Sequence, residues 1–341
     1  MKGKPMRPRR FTLLLLALAL AACAGAPSPS THPVLRPITL LLGYQPDVQF
    51  APFYLAQQAG YYADVGLDVT IQHKSEADLV RLVANGTDTL GVADATDVMI
   101  SRTAGIPVKY VSTLYDAFPV ALIGPAGKVP TDPTGLAGKR IGTPGRYGSS
   151  WHALLALLHA GGLAEGDVTI REYPQFNQVD GLLNGDVDLI TGFRTNEPLR
   201  LEAQGMSVDL LTIDQLAPLP GPGLIVGDAM LGANLVDVTG FANATLVAQR
   251  AIAADPQRGL DAAIVVVPAI ADGRDVALGV LKASIELWRG ANPMPTGQIN
   301  EAVWAAGYAT MGSLGFIDRS VPVTEMTRQL ALTTIESPPP G

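Results

Sequence analysis

From Ile38 onward, short apolar or alternating runs take turns with longer stretches of helical period. The runs ITLLL, LDVTI, TLGVA, VKYVSTL, KRIGT, DVTIREY, VDLITGF and VDLLTI have the composition and length of strands. Helix patterns lie between them. Ser75 and Asp78 frame a capping box ahead of LVRLVANG, and Ser149 and Ser150 precede WHALLALLHAGG, which glycine ends. From about Ala229 the pattern turns mostly helical, through TLVAQRAIAAD, GLDAAIVVVPAIAD, DVALGVLKASIELW and INEAVWAAGYATMG. Strands alternating with helices predict an α/β fold.

Two segments repeat each other loosely. LVANGTDTLGVADATDVMISRTAGIPVKYV and LLNGDVDLITGFRTNEPLRLEAQGMSVDLL both run Asn-Gly turn, strand, polar loop, helix, glycine, strand. Either any two strand-loop-helix units look this much alike, or the chain holds two similar lobes, each presenting a polar loop at the carboxyl end of a strand. On the second reading the path runs from lobe one to lobe two and back. It crosses near Ile123 and near PLPGPGLIV, and the C-terminal helices pack on lobe one.

The ends alter this picture. Lys2, Lys4, Arg7, Arg9 and Arg10 precede an apolar run over 11–22, the arrangement of a secretory signal. A run of twelve residues, all apolar but Thr12, is too short to span a bilayer. The run closes on Leu20-Ala21-Ala22-Cys23, which resembles a bacterial lipobox, where cleavage precedes the cysteine and its thiol receives a lipid; a cysteine placed there by chance is the alternative. Cys23 is the chain's one cysteine, so an exported protein of this length has no intramolecular disulfide and relies on its core. The stretch AGAPSPSTHPVLRP that follows is too poor in apolar residues to order itself and reads as a tether. Without the five basic residues of the signal, the formal charge of −7 becomes −12. An acidic body with no Lys/Arg cluster excludes nucleic acid as a partner.

In open α/β sheets ligands collect beyond the carboxyl ends of the strands, and the chemistry-bearing residues concentrate there. The loop after the first strand offers Tyr44, Gln45, Asp47, Gln49 and Phe50, with Phe53 and Tyr54 behind it as core or helix-face residues. Asp94 and Thr96 follow the third strand, where Asp94 is either a helix N-cap or a ligand group. Tyr115 and Asp116 stand at the first crossing, which is either a plain linker or a pocket wall. In GTPGRYGSS, Arg146, Tyr147, Gly148 and Ser149 lead into a helix whose free N–H groups suit polar ligand atoms. The segment lacks the endings of nucleotide loops. In GFRTNEP, Phe193 offers a stacking face, and Asn196 and Glu197 offer hydrogen bonds to a heterocycle edge, or Glu197 simply opens a helix. No G-x-S-x-G or H-E-x-x-H is present, and His152 and His159 share a helix face without a further ligand, so no catalytic or metal residue is assigned.

The series Y-x-P-D-x-x-F-A-P-F-Y-L-A-x-x-x-G-Y-Y-x-x-x-G-L-D-V resembles the opening of the periplasmic binding proteins that serve importers of thiamine precursors, sulfonates and nitrate, the SsuA/THI5-like family. GVADATDVMISRTAGIPVKYVS, LAGKRIGTPG and GLLNGDVDLITGFRTNEP follow in that family's order. The resemblance implies a type II periplasmic binding protein, with two α/β lobes, two crossover segments, and closure on a ligand. It implies a signal peptide over 1–22, a lipidated tether over 23–37, lobe one over 38–122 and 225–335, lobe two over 123–224, and a tail over 336–341. The pyrimidine-binding members usually carry Trp-x-Pro-Asn and a following His, where this chain has Tyr44-Gln45-Pro46-Asp47 and Phe50. The change suits a wider ligand, so a flat heteroaromatic vitamin, riboflavin ahead of a thiamine pyrimidine, is the expected cargo.

The yeast relatives that make the thiamine pyrimidine use a cysteine-rich motif and an active-site histidine, and this chain has neither. An enzyme acting on such a heterocycle, with Glu197 as acid/base, and a sensor reporting to a membrane kinase are the competing readings. What the resemblance implies is a monomer without cofactor, lipid-anchored on the extracytoplasmic side of the cell membrane, delivering its vitamin to an ABC permease.

Overall fold

The run RPITLLL forms β1 (Arg36–Leu42), whose apolar positions Ile38, Leu40, Leu41 and Leu42 are buried, as befits a strand covered on both faces. The computed structural model describes residues 34–74, 76–214, 216 and 218–333, with Met1 and Gly3. Cys23, the run over 11–22, the tail over 336–341 and Ser75 of the expected capping box lie outside the described residues. The chain divides into two units, 1–34 and 35–341, and the fold belongs to the second.

Parallel to β1 lie β2 (Leu67–His73) and β3 (Thr89–Ala93). With β4 (Val108–Thr113) and a late strand, Gly223–Gly227, they make a five-stranded sheet. The second sheet contains β5 (Val120–Pro125), β6 (Arg140–Thr143), β7 (Thr169–Glu172), β8 (Leu189–Phe193) and β9 (Val208–Thr212). Naming the late strand β10, the orders are β2-β1-β3-β10-β4 and β7-β6-β8-β5-β9. They are the same order twice. The two loosely repeated segments supply β3 with β4 and β8 with β9, in equivalent places. In each sheet the fourth strand is antiparallel to both its neighbours and arrives from the other lobe.

These two antiparallel strands correct the expected boundaries. VALIGP and GLIVG are short, almost fully buried and flanked by Pro and Gly, which made them read as crossing points rather than strands. All of β5 belongs to the second sheet and all of β10 to the first, so the crossings fall at 114–119 and 213–222. Lobe one is therefore built on 35–113 and 223–333, and lobe two on 120–212. The expected tether is also two residues too long: Arg36 and Pro37 are in β1, where Arg36 bonds Asn234 Oδ1 and Asp88 at 2.6 Å each and also Asp237.

The crossings are tied to one another. The N–H groups of Leu114 and Tyr115 both donate to the Pro222 carbonyl, at 3.2 and 3.1 Å, and the Tyr110 hydroxyl donates to the Gly221 carbonyl at 3.1 Å. A Cβ on Gly221 would lie 2.2 Å from the Tyr115 carbonyl oxygen, and one on Gly223 2.1 Å from Tyr110 Cζ, so only glycine permits this approach. The C-terminal helices cover lobe one: Phe241 of Leu235–Ala254 stacks on Tyr62 at 4.7 Å, and Trp304 of Glu301–Ser313 meets Tyr110 edge-on at 5.0 Å. Among the described residues no helix is long and apolar enough to cross a membrane.

Candidate functional site

The carboxyl ends of β1, β3, β4, β6, β7 and β8 open onto one cleft of about 1020 Å³, its mouth included. Its walls are aromatic on both sides. Lobe one and the first crossing give Tyr44, Phe50, Phe53, Tyr115 and Trp288, and lobe two gives Tyr147, Phe176 and Phe193. Two ring contacts run across: Tyr44 meets Phe176 edge-on at 4.7 Å, and Tyr115 meets Phe193 edge-on at 6.1 Å. Polar groups enter at Gln49, Asp94, Ser149, Ser150, Gln178, Asn196, Glu197 and Gln249.

Each polar group has a physical setting. Glu197 opens the helix Glu197–Ala203 and is 8% exposed, with Oε2 accepting the Phe193 N–H at 2.7 Å. Burial pushes its carboxyl up to about 7. Near neutral pH it is thus divided between an acid that donates and a carboxylate that accepts. Burial, and then the charge of Glu197, push the Tyr44 phenol above its ordinary range, so it stays a neutral donor. The Tyr44 backbone is fixed by His73, whose Nδ1–H donates to the Tyr44 carbonyl at 2.5 Å. Burial lowers the His73 pKa, and a neutral ring leaves Nε2 to accept from the Tyr54 hydroxyl at 3.2 Å.

Three polar links join the lobes around the cleft. Arg200 Nη2 donates to Asp47 Oδ2 at 2.6 Å. The Ser149 N–H donates to Asp94 Oδ2 at 2.6 Å. His152 Nδ1 lies 2.9 Å from Thr96 Oγ1. His152 is buried, which lowers its pKa to about 4, while burial and then the Asp94 charge raise the carboxyl of Asp97 beside it.

Of the residues singled out from the sequence, Tyr44, Gln49, Phe50, Phe53, Asp94, Tyr115, Tyr147, Ser149, Ser150, Phe193, Asn196 and Glu197 line the cleft. The others lie elsewhere. Gln45 is exposed, and its amide donates to the Tyr44 hydroxyl at 3.3 Å. Asp47 is buried beneath the loop, where it caps the turn Val48–Phe50 and holds Arg200. Thr96 is consumed by the link to His152. Gly148 sits at φ +67° as the first residue of the helix Gly148–Ala160, one turn earlier than Ser149 and Ser150 implied as a cap, and delivers the Ser149 N–H. Asp116 borders a separate small pocket with Tyr110 and Trp304. Arg146 points outward to Glu165 and, at 3.0 Å, Glu172, with its guanidinium 4.8 Å from the Trp151 ring. Arg194 is likewise paired, 2.7 Å from Asp214.

Sequence reading missed Phe176, Gln178, Gln249 and Trp288. The first two follow β7, so the carboxyl-end rule reaches them once that strand is placed. Gln249 and Trp288 lie on C-terminal helices and carry no local signal. Among the described residues no group of three or more His, Cys, Asp or Glu could hold a metal ion.

Two lobes of equal sheet order, two crossovers and a cleft at the strand ends define a periplasmic binding protein fold. The alkanesulfonate-binding protein SsuA from Xanthomonas axonopodis pv. citri, bound to MOPS, superposes with a TM-score of 0.68 over 86% of this chain and 98% of that one, at 18% identity. The family profile described as NMT1/THI5 like matches residues 47–259, and the chain belongs to that family. Riboflavin-binding protein RibY of Chloroflexus aurantiacus is 33% identical over 304 residues, covering 87% of this chain and 86% of RibY. The 4-amino-5-hydroxymethyl-2-methylpyrimidine phosphate synthase THI13 of Saccharomyces cerevisiae is 29% identical over 191 residues. That match takes in 53% of this chain and 55% of the yeast protein.

Proposed function

We propose that this protein is the solute-binding lipoprotein of an ABC importer and captures a flat heteroaromatic vitamin, riboflavin first. The observation that carries the reading is the cleft itself, where aromatic walls from both lobes face each other and hydrogen-bonding groups sit at the edges. Such a site encloses a planar ring and reads its rim. The likeness to RibY supports riboflavin. A sulfonate or nitrate would need a free cation in the pocket. Arg146, Arg194 and Arg200 are each committed to a carboxylate, and none lines the cleft. The likeness to the pyrimidine synthase supports a thiamine pyrimidine as the second reading. Binding without turnover, as a monomer that hands its ligand to the permease, is part of the proposal.

Titration of the purified protein should quench flavin fluorescence with a micromolar or tighter Kd, while the aminopyrimidine competes weakly. No binding of either ligand at micromolar concentration removes the vitamin reading. Mass spectrometry showing a converted ligand would favour an enzyme.

The proposal includes a signal peptide over 1–22 and a lipid on Cys23, with 24–35 as the tether, holding the binding unit on the extracytoplasmic face. One acyl chain gives only marginal attachment, and stable anchoring takes two or more. Cys23→Ser is expected to move the protein from the membrane fraction to the soluble exported fraction, or to leave an uncleaved precursor. A correctly cleaved, membrane-bound variant would contradict the anchor.

A further inference from the structure

Several buried side-chain atoms have no hydrogen-bond partner among the described residues, on Tyr173, Gln178, Arg194, Thr195, Asp228, Ser284 and Arg289. Of these residues, only Gln178 lines the cleft. It is 2% exposed, and the orphan atom is its side-chain carbonyl oxygen, Oε1. A buried acceptor without a partner is destabilising and rare in folded proteins. A ligand that brings a donor supplies the missing partner.

The segment around it is shaped toward the cleft. Phe176, two residues earlier, holds a left-handed backbone at φ 56°, the one non-glycine residue with positive φ among those described. Backbone strain of this kind gathers at ligand clamps. Its ring reaches across to Tyr44 of the other lobe. Gln178 therefore sits beside an inter-lobe ring contact, in the same cleft as Asn196 and Glu197.

We propose that Gln178 is a specificity-determining acceptor, its Oε1 taking a hydrogen bond from an N–H or O–H donor of the bound heterocycle. This rests on the vitamin reading above and adds a requirement to it. An oxyanion such as nitrate or a sulfonate brings acceptors only and leaves Oε1 unmet. A ring imide N–H, an exocyclic amino group or a sugar-alcohol hydroxyl meets it. In riboflavin both the imide N–H and the ribityl hydroxyls are donors, and the test distinguishes them.

The test is Gln178→Met, which keeps the volume and removes the acceptor. Riboflavin affinity is expected to fall roughly 10- to 100-fold, as for a lost buried hydrogen bond. The melting temperature of the unliganded variant should stay level or rise, because an unsatisfied group is gone. A residue that merely supports the fold would give the reverse, a lower melting temperature. N3-methylriboflavin lacks the imide donor and lumiflavin lacks the ribityl chain. The analogue that parent and variant bind equally well names the donor. Unchanged affinity for riboflavin, or a lowered unliganded melting temperature, overturns the proposal. If the parent binds neither riboflavin nor the aminopyrimidine, the vitamin reading fails on that measurement. The unliganded melting temperature then still decides: a fall overturns the acceptor role, and a level or raised value retains it for another donor ligand.

Discussion

Glu197→Gln is expected to remove most of the stability that the parent loses between about pH 5 and pH 8. The carboxyl has an ordinary value of 4.5 and burial raises it to about 7 in the fold. A group raised in this way helps the native state fully below its unfolded pKa, and the help is lost as pH rises through its folded pKa. Above pH 7 the fold carries a buried carboxylate, held by its own backbone N–H and that of Phe193. At about 1.4 kcal/mol for each tenfold change in proton affinity, the difference reaches at most about 3 kcal/mol. Glutamine has no proton to lose and can keep the bond to Phe193. Urea unfolding at pH 5, 6, 7 and 8 should show a falling series for the parent and a flatter one for the variant. Parallel series would mean that Glu197 titrates as an ordinary glutamate. Ligand affinity should nevertheless fall in the variant, since stability at a binding site and function often oppose each other.

The second large effect is expected from Arg200→Met, and it should appear in lobe closure more than in unfolding. Arg200 and Asp47 belong to different lobes, with the carboxylate 5% exposed and the guanidinium half-exposed. Removing one partner of a fully buried pair costs about 3–5 kcal/mol. Solvent at the arginine reduces that figure here, to about 1–2 kcal/mol. A rigid core would have to bear this cost. A hinged molecule escapes it by opening, which returns Asp47 to water. The open form should therefore gain roughly 5- to 30-fold in population, visible as a larger radius of gyration in small-angle scattering. Affinity should drop by a similar factor if the ligand needs the closed form. Asp47→Asn combined with Arg200→Met should be less than additive, since both break one link. Identical scattering curves for parent and variant would show that the pair does not hold the lobes together.

Much of this architecture was legible because it is written locally. Eight strands carry their own apolar runs, and the rule that polar loops after parallel strands gather at one edge brought Tyr44, Asp94, Ser149 and Glu197 to the cleft. What was not legible depends on distant partners. VALIGP and GLIVG look like linkers until the opposite sheet leaves a place between two strands for each. Arg146 sits in a glycine-rich loop of the kind that meets anions, but Glu165 and Glu172 capture it from outside. Asp47 reads as a ligand group and is instead a cap and half of an inter-lobe ion pair. Trp288 lies in a helix whose cleft-facing side is set by packing against other helices. Nothing in its own periodicity distinguishes a pocket wall from core.

The position of β10 has a consequence for how the chain acquires its shape. It lies between β3 and β4, yet it is made only after every strand of the second sheet. The second lobe is continuous in sequence from β5 to β9 and can assemble as soon as it is synthesised. The first cannot: until β10 arrives, β3 and β4 have no ladder between them, and closing that gap spans a long loop whose entropy opposes early pairing. The nested lobe is thus the natural first folding unit, and the outer one matures last. The sheet of the outer lobe thus stays incomplete until residues 223–227 of the 341 have been made, whereas the nested lobe needs no strand beyond residue 212.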